Sequence, residues 1–375
     1  MEKNFIPVCE PLLGGNEKKY VDDCVSTGWI SSSGKYVTDF EKAFCNYCGV
    51  KYGVAVCNGT IAIHLALVSL GIKTGDEVII PNFTMIATAF AVVYTGAKPV
   101  FVDASPFDWN IDVDKIEQKI TPKTKCIIPV SIFGHPCDMD PIKKLCKEHN
   151  LFLLEDAAES HGAEYKGVKT GALADITAFS FFANKNLTTG EGGMVVTDNE
   201  ILYNRCKYFK NVCFPITGPR NYMHNDVGFN YRMSNIHAAI GLAQVEKADY
   251  YVDKRIEHSK MYHDILDGVE GITLQGTRPN VKHAVWMNGV VLNSSVYGRT
   301  RDELLSFLRE NGIETRLFFI GMNKQPSLIN YGCDGSGMYP VTDMLSSCGF
   351  YLPSSSSLSA SDIEYICSMI VKFKK

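Results

Sequence analysis

The chain has no run of about 18 uninterrupted apolar residues, the length a membrane-crossing helix needs, although 46% of its 375 residues are hydrophobic. Its opening stretch, MEKNFIPVCEP, has neither the basic nor the apolar block of a secretory signal. A cytoplasmic protein with no membrane partner is expected. An excess of one charge is lacking too: the formal net charge is −4 with the signs interspersed, so there is no basic stripe for nucleic acid. Internal repeats are absent. The one low-complexity stretch, PSSSSLSASD, reads as a loop leading to a helix cap at Ser359 or Ser361. Nor is there a disulfide framework, since the thirteen cysteines form an odd, scattered set that suits reduced thiols. Cys45 and Cys48 make a lone C-x-x-C near the end of an amphipathic helix, without the second pair a zinc site needs. In FGHPCDMD, His135 with Asp138 and Asp140 reads as a strand-to-helix turn capped by aspartate rather than as a metal site, and no metal is expected. A small molecule is the partner left to a chain of this size and balance.

What the sequence does contain is alternation. From about residue 54 to 200, short β-rich runs (VAVCN, EVIIP, PVFVD, KCIIPVSIF, LFLLEDAAE, ITAFSFF, GGMVVTD) alternate with helical stretches such as GTIAIHLALVSLG and DMDPIKKLCKEHN. This is the pattern of βαβ units in an α/β fold, with a large, mostly parallel, seven-stranded sheet covered by helices. Runs as continuously apolar as EVIIP and LFLLED suit strands buried on both faces. After about residue 235 comes one long helix candidate, NIHAAIGLAQVEKADYYVDKRIEHSKMYHDILD, and then a mixed tail. The expected division is residues 1–240, an N-terminal segment with the large domain, and 241–375, a smaller α+β domain.

Function in such sheets gathers at the carboxyl ends of the strands. Glu155 and Asp156 end the apolar run LFLL, a costly position for carboxylates unless something cationic or hydrogen-bonding meets them. Lys185 lies 29 residues further on, past the run ITAFSFF, so Asp156 and Lys185 are expected to open on the same edge. An aspartate and a lysine so placed suit pyridoxal 5'-phosphate, held as a Schiff base with a carboxylate on its ring nitrogen. Such a cofactor needs a phosphate cradle. Asn58, Gly59 and Thr60 lie between a strand and a helix, where free amides and the helix dipole favour an anion. His64, within IAIHLALVSL, reads as a core or cofactor-adjacent histidine.

With these residues in place, VCNGTIAIHLAL, GDEVIIPNFTMIAT, GAKPVFVD, GHPCDM, LEDAAESHGAEYKG, FSFFANKNLTTGEGGMVVT and GFNYRMSNIHAAIGLAQVE together resemble the DegT-type sugar aminotransferases. These are pyridoxal phosphate enzymes of the aspartate-aminotransferase-like fold (fold type I), and the resemblance runs from about Ile6 to the C-terminal helix. It implies that Lys185 is the Schiff-base lysine, Asp156 the partner of the pyridine nitrogen, and Glu159 the partner of the ring hydroxyl. Gly59, Thr60 and Ser180 match phosphate ligands. Asn230 matches a residue that reaches the phosphate from the other subunit, which implies a homodimer with shared active sites. Met85 departs from the pattern, since relatives commonly carry an aromatic there; a thioether still lies against a π face, so weaker stacking is expected.

The implied reaction moves an amino group from L-glutamate to the C4 keto group of a nucleotide-linked 4-keto-6-deoxy sugar, GDP-4-keto-6-deoxy-mannose first, for polysaccharide biosynthesis. Alternatives are a UDP- or dTDP-linked keto sugar and a small phosphorylated ketone such as dihydroxyacetone phosphate. Sugar dehydratases of the family have histidine where Lys185 stands, and the retained lysine argues for amine transfer. A non-catalytic regulator on the same fold is disfavoured, since such proteins often carry a nucleic-acid-binding domain that this chain has no room for. Substrate-side loops are implied at Trp29, His224, Arg316 and Asn323. Arg220 is a candidate for the nucleotide phosphates, because a guanidinium binds anions bidentately, and Arg232 for an interface ion pair. In ETRLFFIGMNKQP, Gly321 and Asn323 replace a proline and a histidine of relatives that use the GDP-linked sugar.

Overall fold

The computed structural model describes residues 5–219 and 222–375. In chain order its first strands are β1 (Tyr52–Val56), β2 (Glu77–Pro81), β3 (Lys98–Val102), β4 (Thr124–Ile127) and β5 (Phe152–Asp156). A short pair follows, β6 (Glu164–Tyr165) and β7 (Val168–Lys169), then β8 (Ile176–Ser180) and β9 (Gly193–Thr197). Seven of these form one sheet in the order β1-β9-β8-β5-β4-β2-β3. β9 runs antiparallel to both neighbours and the other pairs are parallel. The period-2 alternation of a strand sends Val54, Val56, Val78 and Ile80 to one apolar core and Ala55 and Ile79 to cores on the other face. Both faces are dry, which is why these strands read as unbroken apolar runs.

The run KCIIPVSIF is strand only to Ile127; beyond it the chain turns through Ile132–Gly134, with Phe133 at φ 54°. Asp138 stands at the cap position of the helix Met139–His149, but its carboxylate accepts the Tyr165 hydroxyl (2.7 Å) instead of a helix amide. The expected aspartate cap is thus replaced by a tie to β6. Ser359 does cap its helix, in a reciprocal box with Asp362.

The single long helix expected after residue 235 is two, Asn235–Val245 and Ala248–Leu266. At the junction Glu246 takes hydrogen bonds from Asn16 (2.7 Å) and Tyr20 (2.6 Å), and the Lys247 ammonium donates to the carbonyl of Gly14. These ties to the first helix, Glu17–Thr27, hold the bend where the apolar pattern continues through it. The second helix is shared: Ala248 and Tyr251 pack in the core of the large sheet, while Tyr262 and Leu266 pack in the core behind a four-stranded antiparallel sheet. That sheet, in the order β10-β12-β14-β13, follows in the chain as β10 (Ile272–Leu274), β11 (Val281–Lys282), β12 (Asn288–Leu292), β13 (Arg316–Leu317) and β14 (Gly349–Leu352), with β11 pairing instead with β6. Ile6 lies in this second core and bridges to Ile313.

Two joints fasten the second unit over the ends of β2 and β3. Asn82 donates to Asn323 Oδ1 (2.9 Å), accepts from the Asn323 amide (2.9 Å) and offers its own carbonyl to the Met322 amide (2.9 Å). The Asp103 carboxylate accepts the Thr342 amide (2.9 Å) and hydroxyl (2.8 Å), and so caps the helix Pro340–Cys348 from across the interface.

Candidate active site

Because β5 and β8 are parallel neighbours, Asp156 pairs in register with Ala178, and the turn after β8 carries Lys185 back over the same edge. The turn is pinned from outside. The Asn184 carbonyl accepts the Trp286 indole N–H (2.8 Å) and the Cys9 thiol (3.3 Å), and Asn186 donates to the Ala284 carbonyl (2.9 Å). The Lys185 amine ends 3.9 Å from Glu159 Oε1 and 3.5 Å from the centre of the Trp286 ring. Its side chain is only 9% exposed, so this lysine is no solubilising surface residue.

Charges gathered in so dry a place perturb one another. Burial pulls the Lys185 ammonium below the ordinary lysine range, against the pull of Glu159 and Asp156. Burial pushes the Asp156 carboxyl up, opposed by the Thr88 hydroxyl, the Ala158 amide and Lys185. Glu159, whose Oε2 accepts the Phe133 amide (2.7 Å), is pushed up to about 7 by burial, with Lys185 opposing. Arg255 is also buried, and donates to the Trp286 carbonyl (2.7 Å) and Ser356 (3.1 Å), backing the wall behind the lysine.

Opposite this cluster, the helix Gly59–Leu70 starts against β8. Asn58 caps it by accepting the Ile61 amide (3.0 Å), and the first main-chain bond of the helix runs from Ala62 to Asn58 (3.1 Å). The amides of Gly59 and Thr60 precede that bond and are available to a ligand. A Cβ on Gly59 would stand 2.6 Å from the Cβ of Ser180, and one on Gly193 would stand 2.3 Å from the Asn58 carbonyl oxygen. The turn must be bare of side chains to sit this close to the strand ends. An amine able to react with an aldehyde, a buried carboxylate for a ring nitrogen and an amide-rich helix start beside a serine fit pyridoxal phosphate.

The remaining expected residues stand apart. Met85 is 48% exposed at the mouth of the turn after β2, its sulfur accepting the Ala87 amide (3.1 Å). Trp29 is exposed, and its loop is held by Asn235, which donates to the Trp29 carbonyl (2.6 Å) and accepts the Tyr36 amide (2.9 Å). Exposed His224 hydrogen-bonds the Val212 carbonyl (2.8 Å). Asn230 is exposed and accepts from Arg232 (2.9 Å), which also donates to Asn211 (3.1 Å); among the described residues the partners of Arg232 are amides, not carboxylates. Arg316 is exposed and paired with Glu314. Asn323 is buried, its side-chain oxygen and main-chain amide both taken by Asn82. Arg220 lies outside the described residues. His64 is buried beside Tyr231 (3.1 Å), and burial lowers it to about 4.

Sequence reading passed over Thr84, Thr88, Trp286, Arg255 and Asn82. A buried hydroxyl or amide acting on a neighbour leaves no spacing signature; Thr84 and Thr88, which bound the TMIAT block, were the two within reach. Among the described residues no group of three or more His, Cys, Asp or Glu is placed to hold a metal, and no helix is long and apolar enough to cross a membrane.

The description "DegT/DnrJ/EryC1/StrS aminotransferase family" matches residues 11–371. The chain is 43% identical over 369 residues to GDP-perosamine synthase of Escherichia coli O157:H7, covering 98% of each protein. Over 369 residues it is 42% identical to GDP-perosamine synthase of Caulobacter vibrioides, covering 97% of each. Among solved structures it resembles S. venezuelae DesV in complex with a ketimine intermediate, with a TM-score of 0.89 at 31% identity over 96% of this chain and 94% of that one. The chain belongs to the DegT/DnrJ/EryC1/StrS family and has the fold type I architecture of these enzymes. It is a pyridoxal phosphate-dependent aminotransferase.

Proposed function

We propose that this aminotransferase moves the amino group of L-glutamate to the C4 keto group of a nucleotide-linked 4-keto-6-deoxy sugar, GDP-4-keto-6-deoxy-mannose first. The observation that carries this reading is near-full-length identity of 43% and 42% to two GDP-perosamine synthases, joined to a buried lysine at the position where amine transfer needs one. Bound pyridoxal phosphate supplies an electron sink for the pair released when the Cα–H bond of the donor breaks. Asp156 holds the ring nitrogen protonated by its adjacent negative charge. Lys185 Nζ takes the Cα proton and later returns one to the acceptor carbon; burial favours its neutral, proton-accepting form. Glu159 meets the ring hydroxyl and Trp286 covers the amine. Gly59, Thr60 and Ser180 hold the phosphate.

The assembly is a homodimer in which exposed Asn230 reaches the partner's phosphate site. The acceptor meets Trp29, Arg220, His224 and Arg316, while Asn323 acts from behind, through Asn82, as the anchor of the 321–323 segment. A protein working on a nucleotide-activated sugar is placed in the cytoplasm.

The test incubates purified protein and glutamate with GDP-, UDP- and dTDP-linked 4-keto sugars and with dihydroxyacetone phosphate, reading products by mass. An amino sugar from the GDP-linked ketone is expected. Turnover of another sugar nucleotide alone, or of the triose phosphate alone, replaces the acceptor. Absence of 2-oxoglutarate formation removes glutamate as donor.

A further inference from the structure

The two oxygens of Asp156 are held unequally. Oδ1 accepts a main-chain bond from Ala158 at 3.2 Å, whereas Oδ2 accepts the hydroxyl of Thr88 at 2.8 Å. A threonine hydroxyl carries one proton, and that of Thr88 is committed to the carboxylate. The contact of Thr88 Oγ1 with Thr84 Oγ1, at 3.2 Å, therefore has Thr84 as its donor. Both threonines are 1% exposed, so water does not compete for either bond. They come from one short segment: Thr84 lies in the turn after β2 and Thr88 in the first turn of the helix Ala87–Tyr94, and the turn brings the two hydroxyls together. Two residues before Thr84, Asn82 ties the segment to 322–323 in the second unit.

We propose that Thr84 and Thr88 are positioning residues, a relay of two hydroxyls whose protons both point toward Asp156, keeping it ionised and leaving Oδ1 for the ring nitrogen of the cofactor. The reading rests on Asp156 as partner of that nitrogen and does not depend on which sugar is used. Burial alone would drive Asp156 toward its neutral acid, a form that no longer favours a protonated ring. Opposing this are two donors, the Thr88 hydroxyl and the Ala158 amide, and the nearby charge of Lys185. Of these, Thr88 is the one whose hydroxyl can be removed without touching the backbone or the cofactor's covalent anchor.

The test titrates cofactor-free protein, followed by absorbance, with two probes: pyridoxal phosphate and its 1-deaza analogue, in which a C–H replaces the ring nitrogen. Thr88→Val is expected to weaken pyridoxal phosphate binding roughly tenfold or more, the scale of a hydrogen bond to a charged group. Thr84→Val, one step removed, should weaken it about two- to threefold on the smaller neutral scale. Thr88→Ser should stay close to the parent protein. None of the three should bind the deaza analogue more weakly than the parent does. Equal losses with both probes would reduce the threonines to packing, and an unchanged affinity of Thr88→Val for pyridoxal phosphate would also overturn the relay. So would Thr88→Ser behaving like Thr88→Val. Failure of the parent protein to bind pyridoxal phosphate would instead remove the cofactor assignment, and the relay with it.

Discussion

The two halves of the site are built on different terms. On the proposed cofactor side, Asp156 and Glu159 are buried and the Lys185 side chain is 9% exposed, and they meet Thr88 of the helix after β2, the Phe133 amide after β4 and Trp286 before β12, respectively. On the proposed acceptor side, Trp29, His224 and Arg316 are exposed, with His224 on the Val212 carbonyl and Arg316 paired with Glu314. Buried charges must be paired or neutralised before any ligand arrives, so the first half is set by the fold itself. The rim carries no such obligation, and its geometry is free to be completed by substrate or by a second copy of the chain. One half is held in place by burial and pairing, and the other stays exposed.

The largest blow to this contrast is Lys185→Ala. Turnover should fall by at least about 10³-fold, the scale of a lost general acid/base and covalent anchor, and borohydride should no longer fix cofactor to the protein. Measurable turnover near the parent rate would empty the buried half of its purpose. Asp156→Asn keeps the shape and an acceptor for Thr88 but drops the charge; turnover should fall about 10²- to 10³-fold, as read by amino-sugar formation.

Glu155 sharpens the contrast without chemistry. It is fully buried, one of its oxygens has no partner among the described residues, and burial pushes its carboxyl up to about 7. The folded pKa is raised, so the carboxyl adds stability below its unfolded value near 4.5, and that stability is lost as pH climbs toward 7. Glu155→Gln should flatten the pH dependence of thermal unfolding across that window, by roughly 3 kcal/mol at most. An undiminished slope would mean that the carboxyl is solvated.

Asn82→Ala opens the joint between the units, leaving Asn323 unpaired in a buried place. A stability loss of about 2–3 kcal/mol is expected in chemical denaturation. The smallest effect belongs to the rim: Arg316→Ala should leave stability within about 0.5 kcal/mol while raising the KM for the acceptor alone. A change in the glutamate half of the reaction would place Arg316 deeper than the structure does.

Much of the buried half was legible because its residues lie at strand ends, where alternation of apolar runs gives their place in the sheet. Asp156 closes β5, Lys185 lies in the turn after β8, and Gly59 opens the helix after β1. Trp286 and Asn82 were not legible. Their partners lie 102 and 241 positions away in the sequence, and no local pattern reports a contact at that range. The bend at Glu246 was missed for the same reason, since what holds it comes from Asn16 and Tyr20. Trp29 and His224 were proposed from resemblance, and a single chain gives them few ties that would fix their roles.

The bridge between Ile6 and Ile313 sets an order on how the protein is made. While the ribosome works at roughly 5–20 residues per second, the segment around Ile6 lacks this partner until some 300 more residues have emerged, a delay of roughly 15–60 s. For that interval Ile6 and Val8 are apolar and unclaimed, open to a chaperone.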